Sequence, residues 1–276
     1  MATTAASSTW DRRRRTSILV LTAGVLGVAV AALPAKIAQL WPGSGTTTYA
    51  SLAGRLRPAF VDYWAAGQSK PGSALTQVVA YWQGFHVVKA VAAALLLAVL
   101  AALLLDLWGR WIGSGRSGRR RALGALGALG ALASLVALLM VVANIQGAVA
   151  PLSSVVSFLP TDGSDPAVAA TIGEISAELR SGSTTSVLDA LVSDFRVYHA
   201  AMVVSAGLTT VLLLAGGITL WRRRSRSQHN ERRLYVTTAT IMLALALAFG
   251  VVAAANLSTV IDPASALLAF FEGGGA

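Results

Sequence analysis

The strongest constraint on this chain is that it repeats itself. Ser73, Leu75, Val78, Val79, Trp82, Phe85 and His86 recur in register as Ser186, Leu188, Leu191, Val192, Phe195, Tyr198 and His199, a shift of 113 residues. A tryptophan follows each histidine by 22 residues, at Trp108 and Trp221. Past an intervening basic turn the shift becomes 112, and Asn144, Pro151, Ser153 and Phe158 pair with Asn256, Pro263, Ser265 and Phe270. Residues paired in this way are expected to share a structural task, so the fold must accommodate two similar blocks in tandem.

The blocks are built for lipid. Of 276 residues 55% are hydrophobic, and the mean hydropathy is +0.66, outside the range of soluble globular domains. A helix needs about 20 apolar residues to cross a bilayer core ~30 Å thick. Five stretches qualify: Ser17–Leu33, Val87–Trp108, Ala122–Val149, Ala200–Trp221 and Leu234–Ala255. Fifteen of the 22 basic residues lie in the N-terminal tail (Arg12 to Arg15) and in two short turns, and nine of the twelve acids lie in the segments 34–86, 150–199 and 256–276. Lysine and arginine collect on the cytoplasmic side of membrane proteins, which puts the N-terminus inside and, after five crossings, the C-terminus outside. Topology alone accounts for the net charge of +10, so no nucleic-acid partner is expected.

The resulting expectation is an all-α, polytopic protein of the cytoplasmic membrane, built from two and a half tandem helix-pair repeats under a small helical extracytoplasmic cap. Residues 1–16 form a basic cytoplasmic tail; spans cover 17–33, 87–108, 122–149, 200–221 and 234–255. Residues 109–121 and 222–233 are cytoplasmic turns; 34–86, 150–199 and 256–276 lie outside. Arg12 to Arg15 before an apolar run resembles a secretory or twin-arginine signal, with Ala29-Val30-Ala31 as its cleavage site. The spacing of prolines argues for retention instead. Pro34, Pro151 and Pro263 are each followed seven residues later by an aromatic (Trp41, Phe158 and Phe270) and then by a glycine-containing turn. Proline suits the first turn of a helix, whose N–H has no partner, so each is expected to start a short helix at the outer surface; a kink in a continuing helix is the alternative.

The outer segments carry amphipathic spacing at Leu75 to Phe85 and Leu188 to Tyr198, predicting helices that run unbroken into the next span. Further helices are expected near Ala50–Trp64 and Ala167–Arg180. Trp41, Tyr49, Phe60, Tyr63, Trp64, Tyr81, Trp82 and Phe85 read as an interfacial aromatic belt. Asp189, Asp194, Glu174 and Glu178 read as solvated helix faces.

Four residues are the candidate functional positions. His86 and His199 occupy one repeat position; two imidazoles fall short of the three or four ligands zinc takes, so a pH-sensitive pair, a metal pair and plain interfacial hydrogen bonding all remain open. Asn144 and Asn256, near the outer ends of spans three and five, suit hydrogen bonding between helices or the lining of a solute path. Gly124/Ala128, Gly127/Ala131 and Gly250/Ala254 are small pairs at four-residue spacing, expected where helices pack closely.

Cysteine is absent, which removes disulfides and thiolate chemistry. Lys89 and Asp106, the ionisable residues inside the spans, sit within a turn of a boundary, against a proton-coupled pump. No catalytic constellation, cofactor or metal site is legible, and the Ala, Arg and Gly bias is that of a high-GC, actinobacterial-like proteome. The expected role is a non-enzymatic scaffold or subunit of a cell-envelope complex, engaging a membrane or envelope protein or another copy of itself. The alternative is a transporter or channel component passing a small solute or lipid along the duplicated interface. On inside-out vesicles, added protease should leave the Glu272–Ala276 tail intact by mass spectrometry; its removal would overturn the five-span arrangement.

Overall fold

A computed structural model of the chain describes residues 3–115 and 117–273. Arg116, together with Gly274 and Gly275 of the last glycine turn, lies outside the described residues. Among the described residues the fold is all-helical: α1 (Thr3–Ile37), α2 (Leu52–Ala66), α3 (Ser73–Ile112), α4 (Ser117–Val149), α5 (Pro151–Val156), α6 (Pro166–Ser181), α7 (Ser186–Arg223), α8 (His229–Ile261) and α9 (Pro263–Phe271), with short 3-10 turns after α1 and α7. Five of these helices, α1, α3, α4, α7 and α8, are long and apolar enough to cross a membrane.

Packing of the five follows chain order. The α3/α4 and α7/α8 hairpins are the tightest pairs, while α1 lies on α3 and α4 on α7. Each span keeps a broad apolar face turned outward; Leu21, Leu105, Val204 and Leu247 are exposed by 70%, 72%, 69% and 72%. Such a surface is tolerable only in lipid or against another apolar surface, and a lipid environment is what the composition calls for. At the basic-turn end Arg110 pairs with Asp106 at 3.0 Å, and Thr16 of α1 donates to the same carboxylate at 2.7 Å. Trp108 of α3 meets Tyr235 of α8 at that end, ring centroids 5.6 Å apart.

The 40-residue α3 is about 60 Å long at 1.5 Å per residue, twice the ~30 Å core of a bilayer. Its first turns, like those of α7, therefore project beyond the span without a break, as their amphipathic spacing predicts. Between these projections pack α2, α5, α6 and α9 around one apolar cluster in which Phe60, Leu56, Leu75, Val78, Tyr81, Val155, Ile175 and Leu191 are almost wholly buried. Helices α2 and α6 lie where the sequence places them. The Asp165 carboxylate caps α6 by accepting from Ala167 and Val168 N–H, with Pro166 at the first turn and Gly182 (φ 70°) ending the helix. Trp64 of α2 donates its indole N–H to Glu174 of α6 at 2.9 Å.

Several expectations need correction. Phe60, Tyr63, Trp64, Tyr81 and Trp82 are core residues of this cluster, not members of an interfacial belt. Pro151 and Pro263 start α5 and α9, after breaks at Ala150 (φ −127°, ψ 72°) and Asp262 (φ −128°, ψ 74°) of nearly identical geometry. Pro34 starts nothing: it lies inside the last turn of α1, which continues to Ile37. Its missing N–H deprives the Val30 carbonyl of its intrahelical donor, and the helix nonetheless runs on for three residues. The glycine/alanine pairs also sit elsewhere than expected. Gly124, Ala128, Ala131 and Ala254 face outward, and a Cβ on Gly127 would meet nothing within 4 Å. Gly250 only approaches Thr210, at 3.7 Å. Close contact instead falls on Gly216 and Gly217, where a Cβ would lie 2.3 Å from Met242 Cε and 3.0 Å from Leu243. Tight packing needs a facing side chain as well as a gap, and along the α4 stripe only Gly130 has one close by, Leu104 at 3.0 Å.

Phe60 is fully buried, so Phe60→Ala should lower the stability of the helical cluster by about 3–5 kcal/mol. Thermal melts followed by protection of α2 and α6 from proteolysis in detergent would measure it.

Candidate functional site

Where α3 and α7 pass from span to cluster, the two histidines do not meet; each binds an asparagine on the helix that follows. His86 Nδ1 lies 2.8 Å from Asn144 Oδ1, and His199 Nδ1 lies 2.7 Å from Asn256 Oδ1. Both asparagines spend their amide N–H on a carbonyl one turn back, Met140 at 2.7 Å and Val252 at 2.9 Å. That leaves each Oδ1 to accept, so each Nδ1 carries the proton and each Nε2 is an acceptor.

The first site is complete. Trp82 donates its indole N–H to Ser154 Oγ at 2.9 Å, and that hydroxyl donates to His86 Nε2 at 3.1 Å. A one-way chain of donors thus runs from Trp82 through Ser154, His86 and Asn144 to the Met140 carbonyl, tying α3 to both α4 and α5. Gly147 makes room for it, since a Cβ there would stand 2.4 Å from His86 Nε2. Around it Tyr49, Phe85 and Phe158 pack on Trp82, with centroids 6.4, 4.9 and 5.0 Å away, and Trp41 fills the hollow at Gly84.

The second site is not complete. In the sequence register, Trp82 is matched by Phe195 and Ser154 by Ala266, so the indole donor and the hydroxyl relay are both replaced by apolar groups. His199 Nε2 is accordingly buried with no hydrogen-bond partner. Phe270 stands further off Phe195, at 6.3 Å, than Phe158 does from Trp82. A cavity of about 480 Å³ opens here, lined by His199, Phe195, Met202, Phe270, Gln146 and Ser157 among others.

Asp194 departs from its expected solvated position. Half-buried, it accepts from both the backbone N–H (2.7 Å) and the hydroxyl (2.6 Å) of Ser153, pinning the first turn of α5 to α7. Burial, and next the nearby Asp194 carboxylate, push the Tyr63 phenol above its ordinary range. Ser153 spends its hydroxyl on a carboxylate with no imidazole between them, which is not the geometry of an activated nucleophile. Among the described residues no three His, Asp or Glu side chains converge as metal ligands.

The repeat in the sequence singles out His86, His199, Asn144 and Asn256, but not the bonding of each histidine to an asparagine, the parts of Ser154 and Gly147, or the inward turn of Asp194. One signal was present: Trp82 with Ser154 is polar in both members, and Phe195 with Ala266 is apolar in both. No family model, curated protein or solved structure matches this chain.

Ser154→Ala should destabilise by about 1–3 kcal/mol for each of the two buried groups it strands, Trp82 N–H and His86 Nε2. Adding Trp82→Phe should recover part of that loss, a coupling readable from a double-mutant cycle of thermal unfolding.

Proposed function

We propose that this chain is a non-enzymatic subunit or scaffold of a cell-envelope complex, made of tandem repeats in the cytoplasmic membrane, whose extracytoplasmic helical cap docks a membrane or envelope protein. The observation carrying this is that the polar side chains at the junction are consumed in tying helices together: His86 and Asn144 with Ser154, Ser153 with Asp194, Trp64 with Glu174. What they build is a stiff platform. The matched His–Asn bonds and the matched breaks at Ala150 and Asp262 support the repeat, and the basic turns support an inside N-terminus. The transport alternative draws on a single feature, the cavity beside His199 and Asn256.

Because the chain has no cysteine, single cysteines at the exposed Ala65 and Ala170 report only the cap. Crosslinking from these sites in native membranes should give one stoichiometric adduct of defined mass. Recovery of uncrosslinked chain alone, together with solute or lipid flux in reconstituted vesicles that is lost in Asn256→Leu, would replace the scaffold assignment by transport.

A further inference from the structure

The second His–Asn site holds an unused acceptor. His199 is 6% exposed, and its Nε2 has no partner, whereas the matched nitrogen of His86 receives Ser154. Stranding such a group in an apolar setting is costly, and native structures do so chiefly where something else supplies the missing bond. The surroundings say what that donor must be. Phe195 and Ala266 stand where the first site has an indole and a hydroxyl, and Met202 and Phe270 add further apolar wall. A water can give a proton to Nε2 and reach part of the polar lining (Gln146, Ser153, Ser157, Tyr198 and Asn256), but it leaves the apolar wall of Phe195, Met202 and Phe270 uncovered. A hydroxyl attached to an aliphatic tail does better, because it donates its single proton and lays its own carbon against the walls.

The cavity also has the right size and place. Its volume of about 480 Å³ falls in the range of small-molecule sites. It lies where α7 and α8 leave the apolar part of the fold, and Ser157, exposed at its edge, and Gln146 provide polar groups away from the aromatic wall. In the first site the same region is filled by the chain's own Tyr49, Trp82, Phe85 and Phe158.

We propose that the cavity beside His199 binds an amphiphile from the bilayer, a lipid-like molecule whose hydroxyl donates to His199 Nε2 and whose tail packs on Phe195, Met202 and Phe270. This goes beyond the scaffold assignment and stands or falls independently of it, since occupancy requires neither a protein partner nor flux.

The test uses the full chain in phosphatidylcholine nanodiscs with two photoreactive probes. One is a 16-carbon primary alcohol carrying a mid-chain diazirine, and the other is its methyl ether, which keeps the oxygen but has no proton to donate. Mass spectrometry should find the alcohol on peptides spanning Phe195–Met202 and Leu267–Phe270, at about fivefold higher yield than the ether, the value of one hydrogen bond. His199→Phe should bring that ratio to one. Ala266→Ser provides the separate check: it offers Nε2 an internal donor, as Ser154 does for His86, and should also bring the ratio to one with the thermal midpoint kept or raised. Equal labelling by alcohol and ether in the unaltered chain, labelling confined to other peptides, or a ratio that survives in either folded variant would each overturn the proposal.

Discussion

Everything above the spans depends on one hydrogen-bonding constraint. Backbone breaks at Ala150 and Asp262 end long apolar helices beside the helical cluster, and the chain must turn there without stranding polar groups. A histidine on the neighbouring helix answers this in both places by reaching an asparagine about a turn and a half before each break. In the first place the ring serves two elements at once, gripping α4 through Asn144 and α5 through Ser154. Asp194 completes the joint from α7 by holding Ser153, the residue beside Ser154. Three helices are thereby fixed on a six-residue one that has too little surface of its own to hold a position.

The two sites show what happens when a buried polar pair is lost together. Removing an indole donor and a hydroxyl at once leaves neither of those two groups unpaired, so the exchange for phenylalanine and alanine is inexpensive at those positions. The cost falls on the third member of the chain. His199 keeps its bond to Asn256 and loses its other partner, and the smaller aromatic leaves unfilled volume beside it. An orphaned acceptor and an adjoining cavity are two consequences of one paired replacement.

Periodicity made much of this legible. The spans, α2, α6 and the unbroken α3 and α7 follow from apolar spacing, which reflects burial over many residues and survives local exceptions. What escaped was decided by single contacts. Pro34 differs from Pro151 and Pro263 in that no backbone break precedes it, so it lies inside a helix rather than starting one. Asp194 looks like its acidic neighbours in sequence, yet it turns inward because Ser153 offers two donors. Gly124 and Gly127 have the spacing of a packing motif but face little, Trp111 Nε1 at 3.7 Å for the first and nothing within 4 Å for the second, while Gly147 and Gly84, with Ala143 and Ala80 four residues before them, each face a ring. Burial of Tyr81 and Phe60 shows the same limit, since composition cannot separate an aromatic at a lipid boundary from one inside a small core.

Neither α3 nor α7 contains a proline, and neither is interrupted between its basic turn and the cluster. A rod without a hinge cannot absorb a change of tilt locally. Thinner or thicker bilayers tilt their helices by different amounts to match hydrophobic lengths. Both helices carry their length on into the cluster, where α2 and α5 pack on α3, and α5 and α9 pack on α7. Span and cluster are thus parts of the same two rods, with no linker between them.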